Sequence, residues 1–113
     1  MDWNLSYYKT NSGKVPVIDY IETQEPERIS KIRNSLRLLR EFGIAESQLN
    51  ARKLRGVKYK GIHELKIDSS RIIYFLYTGR KFVLLHAFTK KSKKTPVREL
   101  EVARKRMKDY IDD

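Results

Sequence analysis

The sequence contains no cysteine, and its shortage of several other features narrows what the protein can be. Without thiols, neither disulfide bonds nor thiolate metal sites can hold the fold, and two histidines are too few for a convincing histidine-based metal site. No apolar run approaches the roughly 20 residues of a membrane span, and the first residues lack the basic-then-apolar order of a secretory signal. We therefore expect a cytoplasmic protein that uses no metal and no cofactor.

What the sequence has in excess is positive charge, and the excess is confined to one region. The formal net charge is +11, yet residues 1–51 hold seven basic and seven acidic side chains, and residues 99–113 hold four and five. Residues 52–98 hold fourteen basic and two acidic side chains. Such confinement is typical of a face that binds a polyanion. Nucleic acid is favoured over a membrane because no basic amphipathic helix accompanies the charge.

The densest part of this basic region is the segment Lys-Lys-Ser-Lys-Lys at residues 90–94, here named the lysine turn. Like charges a few ångströms apart repel one another, so folding alone gains nothing from gathering them. A partner that neutralises the charges accounts for the cluster, and the phosphates of a nucleic acid would do so.

The first half of the chain predicts a strand followed by a helical hairpin. Residues 3–8 alternate as an opening strand with Trp3, Leu5 and Tyr7 on one side. Pro16 and Pro26 each suit the first turn of a helix. The second helix repeats its apolar side chains at helical spacing and ends near a glycine: Ile29, Ile32, Leu36, Leu39 and then Gly43. Residues 44–52 show no strong period and predict a loop.

From residue 54 onwards the pattern is that of strands. Residues 61–68 alternate, which places Glu64 and Lys66 on one face of a strand. Residues 72–77 and 82–88 are nearly continuous apolar runs joined by Thr-Gly-Arg-Lys, a hairpin signal, and their lack of alternation predicts burial on both faces.

The end of the chain predicts a helix. Thr95 is a predicted cap with Pro96 at the first helical position, and the apolar stripe consists of Val97, Leu100, Ala103, Met107 and Tyr110. The order of elements predicts one α+β domain over residues 1–113. It has an N-terminal strand, a two-helix hairpin, a mainly antiparallel sheet of about four strands and a C-terminal helix.

That order, together with two stretches of sequence, resembles the RelE/ParE superfamily of bacterial toxins and, within it, the HigB-like, phage-derived branch. The stretches are "GIHELKID" and "RIIYFLYTGRKFVLLHAFTKKSKKTP". They contain a Glu-Leu-basic triplet on one strand, an arginine that opens the next strand, and a lysine-rich segment before the last helix. The resemblance covers almost the whole chain. The triplet here ends in lysine where the family commonly has arginine, so Lys66 cannot make arginine's bidentate contact with a phosphate.

The resemblance implies a RelE-like fold and the toxin of a type II toxin–antitoxin system. Such a toxin is a metal-independent endoribonuclease, an mRNA interferase, that cuts message within the 70S ribosome and arrests translation and growth. The implied partners are mRNA, the ribosome and a HigA-like helix-turn-helix antitoxin, which would form a toxin–antitoxin hetero-oligomer.

Metal-independent cleavage of RNA requires a base for the 2′-hydroxyl, cations for the charge on the phosphorus, and an acid for the leaving 5′-oxygen. We interpret Arg71 as the phosphate clamp and Glu64 as a base or as the group that orients a basic side chain. Lys66, Lys90 and Lys91 then hold the substrate and stabilise charge. The predicted RNA-binding residues are Lys94, Lys93, Lys58, Lys60, Arg55 and Arg80.

Each of these residues also has a structural interpretation. Charges on the outer face of a strand are usually only solvated, and a lysine cluster alone more often binds than catalyses. His63 and His86 lie in apolar strands and favour structural roles. Tyr74 and Tyr77 favour packing over stacking on a base.

Two other functions stay open on sequence grounds. The same fold in a ParE-like form poisons DNA gyrase without cutting, and a plain RNA- or DNA-binding module would use the charge for affinity alone. The combination of Glu64, Arg71 and the lysine turn favours the nuclease, because a gyrase poison does not need an acid–base group beside a phosphate site.

Overall fold

The described residues form a five-stranded sheet with helices on both faces. A computed structural model describes residues 3–43 and 49–112. The elements are β1 (Asn4–Tyr7), α1 (Pro16–Glu22), α2 (Pro26–Phe42), β2 (Ala51–Lys53), β3 (Ile62–Ile67), β4 (Ser70–Thr78), β5 (Lys81–Thr89) and α3 (Val97–Asp112). This arrangement confirms the predicted α+β class.

The strands lie in the order β1-β5-β4-β3-β2. Every neighbouring pair is antiparallel except β1 and β5, which run parallel with Asn4 opposite Lys81. A parallel pair needs a crossover, and the whole chain between β1 and β5 supplies it. The two long apolar strands, β4 and β5, therefore lie inside the sheet. They are buried on both faces as their lack of alternation predicts, except at Leu76 and Tyr77, which are 37% and 40% exposed near the end of β4.

Two hydrophobic cores lie on opposite faces of this sheet. One core packs α1 and α2 against the strands through Val17, Ile21, Ile32 and Leu39. The other packs α3 against the opposite face, where Ala103 is fully buried and Leu100, Met107 and Tyr110 are partly buried. The predicted stripe of α3 is confirmed except at Val97, which is 67% exposed because it lies at the very start of the helix.

The predicted helix boundaries are confirmed at Pro16, Pro26 and Gly43. Pro16 and Pro26 occupy first helical positions, where a missing N–H costs nothing. The N–H of Gly43 bonds the carbonyl oxygen of Leu39, 2.8 Å away, and its φ of 58° lies in the left-handed region that glycine tolerates. A side chain there would also collide with the indole of Trp3.

Two local predictions are wrong. Residues 51–52 belong to strand β2 rather than to a loop, while residues 44–48 of that predicted loop lie outside the described residues. The last helix begins at Val97 and not at Pro96, so Thr95 does not directly precede it; the hydroxyl of Thr95 donates to the carboxylate of Glu64. Within residues 3–43 and 49–112, no helix has the length and apolar character needed to cross a membrane.

Candidate active site

Strand register brings four of the charged side chains together on the face that α3 partly covers. Arg52 of β2 lies opposite Glu64 of β3, and one step along the sheet Lys66 of β3 lies opposite Arg71 of β4. Residues opposite each other on neighbouring strands have Cβ atoms about 4.5–5.5 Å apart and share a face. Two adjacent rows across three strands therefore create one cluster of three cations and a carboxylate.

Glu64 is the buried centre of the cluster, with a relative exposure of only 3%. Its Oε1 accepts a hydrogen bond from Nε of Arg52, 3.0 Å away, and Nε of Arg71 lies 3.9 Å from the same oxygen. Its Oε2 accepts from the hydroxyl of Thr95 at 3.1 Å. A buried carboxylate is stable only when its oxygens are bound in this way, so the sequence-based picture of a solvated charge on a strand's outer face is wrong for Glu64.

Arg71 is also buried, with a relative exposure of 7%, and part of its guanidinium is bound to the backbone. Nη1 donates to the carbonyl oxygens of Asp68 at 2.6 Å and Ser70 at 3.0 Å. These bonds, with Glu64 nearby, fix the plane of the guanidinium. The β3–β4 turn consists of Asp68 and Ser69, and Ser70 already belongs to β4, which places Arg71 directly opposite Lys66.

Helix α2 braces this turn from the opposite face of the sheet. Arg28 of α2 donates to the hydroxyls of Ser69 and Ser70 at 3.1 and 2.9 Å. Lys31 lies 2.9 Å from the carboxylate of Asp68, and its hydrogen bond and charge lower the pKa of that carboxyl. Asp68 has a φ of 51°, a left-handed conformation that aspartate tolerates in tight turns. Helix α2 thus holds the backbone to which Arg71 is bonded.

The lysine turn closes the cluster into a cleft of about 350 Å³, here named the central cleft. The N–H of Lys90 donates to the carbonyl oxygen of Ser69 at 2.7 Å, which ties the start of the lysine turn to the β3–β4 turn. The central cleft is lined by Asn50, Ala51, Arg52, Glu64, Lys66, Arg71, Lys90 and Lys93. Five cations and one carboxylate around one opening favour an anionic ligand.

The central cleft continues along the lysine turn as a shallower opening, where Lys91 and Ser92 join its walls. The structure therefore brings together Glu64, Lys66, Arg71, Lys90, Lys91 and Lys93 of the predicted site. The remaining predicted RNA-binding residues do not line either opening within the part of the chain that the structure describes: Arg55, Lys58, Lys60, Arg80 and Lys94.

The positions of Arg80 and Lys58 explain why these two residues do not line the central cleft. Arg80 lies over the ring of Trp3, 4.9 Å from its centroid, in the turn before β5. A nine-residue strand spans about 27 Å, so Arg80 is at the opposite end of the sheet from the lysine turn. Lys58 is engaged with α3, because its Nζ lies 3.6 Å from Oε2 of Glu101.

Sequence reasoning missed Arg52 and Thr95 as members of the site. Arg52 lies in the predicted loop, and the three-residue strand Ala-Arg-Lys gives no alternation, because Ala51 is half-buried while Arg52 and Lys53 are both exposed. The sequence around Thr95 predicts a helix cap. Its hydrogen bond to Glu64 instead joins residues 31 positions apart. No local pattern reports such a long-range hydrogen bond.

His86 has a structural role in this protein. His86 lies opposite Ile73 on the face that α3 covers, where Nη1 of Arg106 lies 3.1 Å from its Nδ1 and Oε1 of Glu99 lies 2.9 Å from its Nε2. Because arginine can only donate, Nδ1 is the acceptor and the ring proton sits on Nε2, which donates to Glu99. Burial lowers the pKa of His86, with Glu99 opposing and Arg106 reinforcing that shift.

The other ring side chains pack in the ways that their sequence context favours. His63 stacks on Tyr74 with ring centroids 5.3 Å apart, and Tyr74 is buried with only 2% exposure. Tyr77 contacts Tyr110 edge-on at 4.9 Å, with Lys81 nearby. All of these rings lie outside the central cleft.

A separate groove of about 570 Å³ runs along α3 beside Tyr8. It is lined by both signs of charge, including Lys105, Lys108, Asp109 and Asp112. Its acidic residues oppose the binding of a polyanion, so the central cleft is the better candidate for phosphate chemistry although it is the smaller of the two.

The chain has recognisable relatives in sequence family and in fold. Residues 19–108 match the family described as "Phage derived protein Gp49-like (DUF891)". No curated protein matches the sequence. The structure is similar to one chain in the crystal structure of an archaeal RelE–RelB complex from Pyrococcus horikoshii OT3. The TM-score is 0.61 at 10% identity, and the match covers 83% of this chain and 100% of that chain.

A second solved structure, a copper-bound mutant toxin from Helicobacter pylori, matches with a TM-score of 0.47 at 16% identity, covering 77% of this chain and 93% of that one. The first match establishes a RelE-like fold, and the family match covers most of the chain. The chain therefore belongs to the Gp49-like family of phage-derived proteins, a RelE/HigB-type toxin family.

Proposed function

We propose that this protein is the toxin of a type II toxin–antitoxin pair, of the HigB type, and that it is a metal-independent endoribonuclease acting on messenger RNA in the ribosome. The observation that carries the proposal is the central cleft. Arg71, beside the buried carboxylate of Glu64, lies at its base, and the free ends of Lys66, Lys90 and Lys93 line its walls.

The proposed chemistry is an attack by the 2′-hydroxyl on the adjacent phosphorus. The O2′–P bond forms and the P–O5′ bond breaks, the 2′-hydroxyl loses its proton, and the leaving 5′-oxygen gains one. The products are a 2′,3′-cyclic phosphate and a 5′-hydroxyl end. Negative charge on the non-bridging oxygens grows in the transition state, and cations fixed in a partly dry cleft stabilise that charge best.

The residues of the cleft divide into those held rigidly and those free to move. Arg71 is fixed by three neighbouring groups, and we assign it to the scissile phosphate. Both oxygens of Glu64 are engaged by Arg52 and Thr95, so we assign Glu64 to the orientation of the cations rather than to proton transfer. Lys66 and Lys90 are then the groups of the central cleft that can approach the substrate and exchange protons with it, while Lys93 binds the RNA backbone.

We further propose that a separately encoded antitoxin, HigA-like with a helix-turn-helix, silences the protein. Support comes from the fold match to a RelE chain solved in complex with RelB. An antitoxin that covers the central cleft with acidic residues should sharply lower retention of the complex on heparin. Retention equal to that of the free protein would place inhibition elsewhere on the surface.

The proposal is tested by inducing the protein without a partner and following the incorporation of labelled precursors. We expect protein synthesis to stop first, with cleavage sites in translated messages by primer extension and with 5′-hydroxyl ends that a kinase can label. An early halt of DNA synthesis with translation intact would favour a gyrase poison instead. Growth arrest with intact messages would favour a binding module that does not cut.

A further inference from the structure

A second opening, here named the flanking cleft, lies on the other side of the lysine turn from the central cleft. It encloses about 500 Å³ between the end of β5, the lysine turn, the first turn of α3 and Tyr20 of α1. Lys91 and Ser92 line both this opening and the shallow extension of the central cleft. The two clefts therefore meet across the lysine turn and form one continuous surface path.

The flanking cleft contains two cations that the protein itself does not neutralise. Among the described residues, neither Lys91 nor Arg98 forms an ion pair, and both side chains are exposed. The acid in this cleft, Glu99, is turned toward the sheet and is bound to Nε2 of His86 at 2.9 Å. The flanking cleft therefore offers an anion two exposed cations, while its carboxylate is already bound to His86.

The far wall of the flanking cleft is rigid and polar. The hydroxyl of Tyr20 lies 2.7 Å from Oγ1 of Thr89 and 2.7 Å from Oγ of Ser70. These hydrogen bonds attach the wall to β5 and to β4, the strand that contains Arg71. The lysine turn is tied to the same strands through the N–H of Lys90. A ligand that spans both clefts would therefore lie on one rigid frame.

We infer that the flanking cleft binds the phosphate of a neighbouring nucleotide of the same RNA strand, with Lys91 and Arg98 as its phosphate contacts. This inference rests on the proposed function of the central cleft. The backbone of a single strand carries a charge at every nucleotide, so a strand seated at Arg71 must place its next phosphates somewhere along the protein surface. The continuous path over Ser92 leads them to Arg98.

Binding of RNA that cannot be cut tests this assignment without the ribosome or the chemistry. A heptanucleotide and a trinucleotide, both with 2′-O-methyl groups, are titrated at several salt concentrations. For the heptanucleotide, Arg98→Ala should lower affinity about two- to fivefold. It should also reduce the slope of log affinity against log salt by about 0.7, the value for one phosphate contact on a single strand. The trinucleotide, which fills only the more strongly cationic central cleft, should bind Arg98→Ala and wild type equally.

Lys105→Ala is the matched control, because Lys105 is exposed on the same helix two turns further along and lies outside both clefts. It should leave both affinities and the salt slope unchanged. A Lys90→Ala and Lys93→Ala double variant tests the central cleft separately and should weaken both oligonucleotides.

The binding results distinguish failure of the flanking-cleft assignment from failure of the central-cleft assignment. If the double variant weakens binding but Arg98→Ala equals wild type on the heptanucleotide, the flanking-cleft assignment is wrong and the central cleft stands. If neither the double variant nor Arg98→Ala changes affinity, the RNA does not bind at the lysine turn, and both assignments are overturned.

Discussion

Thr95, directly after the lysine turn, donates a hydrogen bond to Oε2 of Glu64, which is buried below the central cleft. The other end of the lysine turn is tied by the N–H of Lys90 to the carbonyl oxygen of Ser69. The lysines are therefore carried on a short segment that is fixed at both ends. Their mutual repulsion would otherwise push that segment away from the sheet.

Replacing Thr95 tests whether this attachment matters for activity. Thr95→Val keeps the shape but removes the donor, and we expect message cleavage to fall about 10- to 100-fold, because a misplacement of about 1 Å has effects of that size. The free energy of unfolding should fall by only about 1 kcal/mol, the usual net contribution of one hydrogen bond. Thr95→Ser restores the donor and should cut at close to the wild-type rate. Equal rates for the two variants would show that the hydroxyl has no positioning role.

Replacing Arg71 tests the assignment of the phosphate clamp. Arg71→Ala removes a fixed cation from the developing charge and should lower cleavage about 10²- to 10³-fold, while binding to ribosomes falls modestly because the lysines remain. Primer extension on message from induced cells measures the effect.

Two comparisons keep the Arg71 result interpretable. Arg71→Lys retains a charge in the buried position but loses the planar guanidinium, and it should also cut poorly while its thermal unfolding stays closer to wild type. Lys93→Ala should cut almost normally and bind slightly less well, in a salt-dependent way. Efficient cutting by a folded Arg71→Ala protein would move the active site away from this cleft.

His86 predicts a dependence of stability on pH. Burial lowers its pKa below the ordinary value of 6.5, so the unfolded chain binds a proton on His86 more readily than the folded protein does. Its contribution to stability is therefore complete above about pH 6.5 and is lost as the pH falls through the lower pKa of the folded state. Denaturant unfolding between pH 7.5 and 5 should show this loss, and His86→Gln should make the profile shallower.

Glu99→Gln provides the matched variant for that experiment. The carboxylate of Glu99 raises the pKa of His86 against the effect of burial, so its removal should lower that pKa further. The loss of stability on acidification should then be steeper than in wild type. A profile unaffected by either substitution would assign the pH dependence to other groups.

Gly43 predicts a large stability effect at the other end of the molecule. In Gly43→Ala, the new methyl group would overlap the indole of Trp3, and the backbone has a φ of 58°. We expect a loss of about 2–5 kcal/mol, the sum of a left-handed conformation and overpacking. Gly79→Ala has a similar φ of 48° but open space around it, so it should lose only about 1–2 kcal/mol. Equal losses would mean that the contact with Trp3 relaxes at little cost.

The order of helices and strands could be predicted because it depends on local patterns. The prolines at positions 16 and 26 mark helix starts, and the apolar runs of β4 and β5 are long enough to show burial on both faces. Strand β2 has only three residues and pairs at the edge of the sheet, so its sequence carries too little periodicity to be recognised.

The members of the site could be predicted better than their roles. Alternation on β3 correctly places Glu64 and Lys66 on one face, but it does not show that Glu64 is buried while Lys66 stays exposed. Glu64 has partners up to 31 positions away along the chain, which no local pattern reports. That is also why Arg52 and Thr95, which bind Glu64 from two other elements, could not be found from local sequence.

The parallel pairing of β1 with β5 delays completion of the sheet during synthesis of the chain. Asn4 meets Lys81, so the first strand to leave the ribosome has no edge to join until residues 77 positions later have followed. Pairing over such a distance is slow, because the entropy cost of closing a long loop comes before any stabilising contact forms. The central cleft needs β2, β3 and β4 in register and the lysine turn attached, and these pieces also emerge late. Hence the chain cannot assemble its cationic cleft while most of it is still being made.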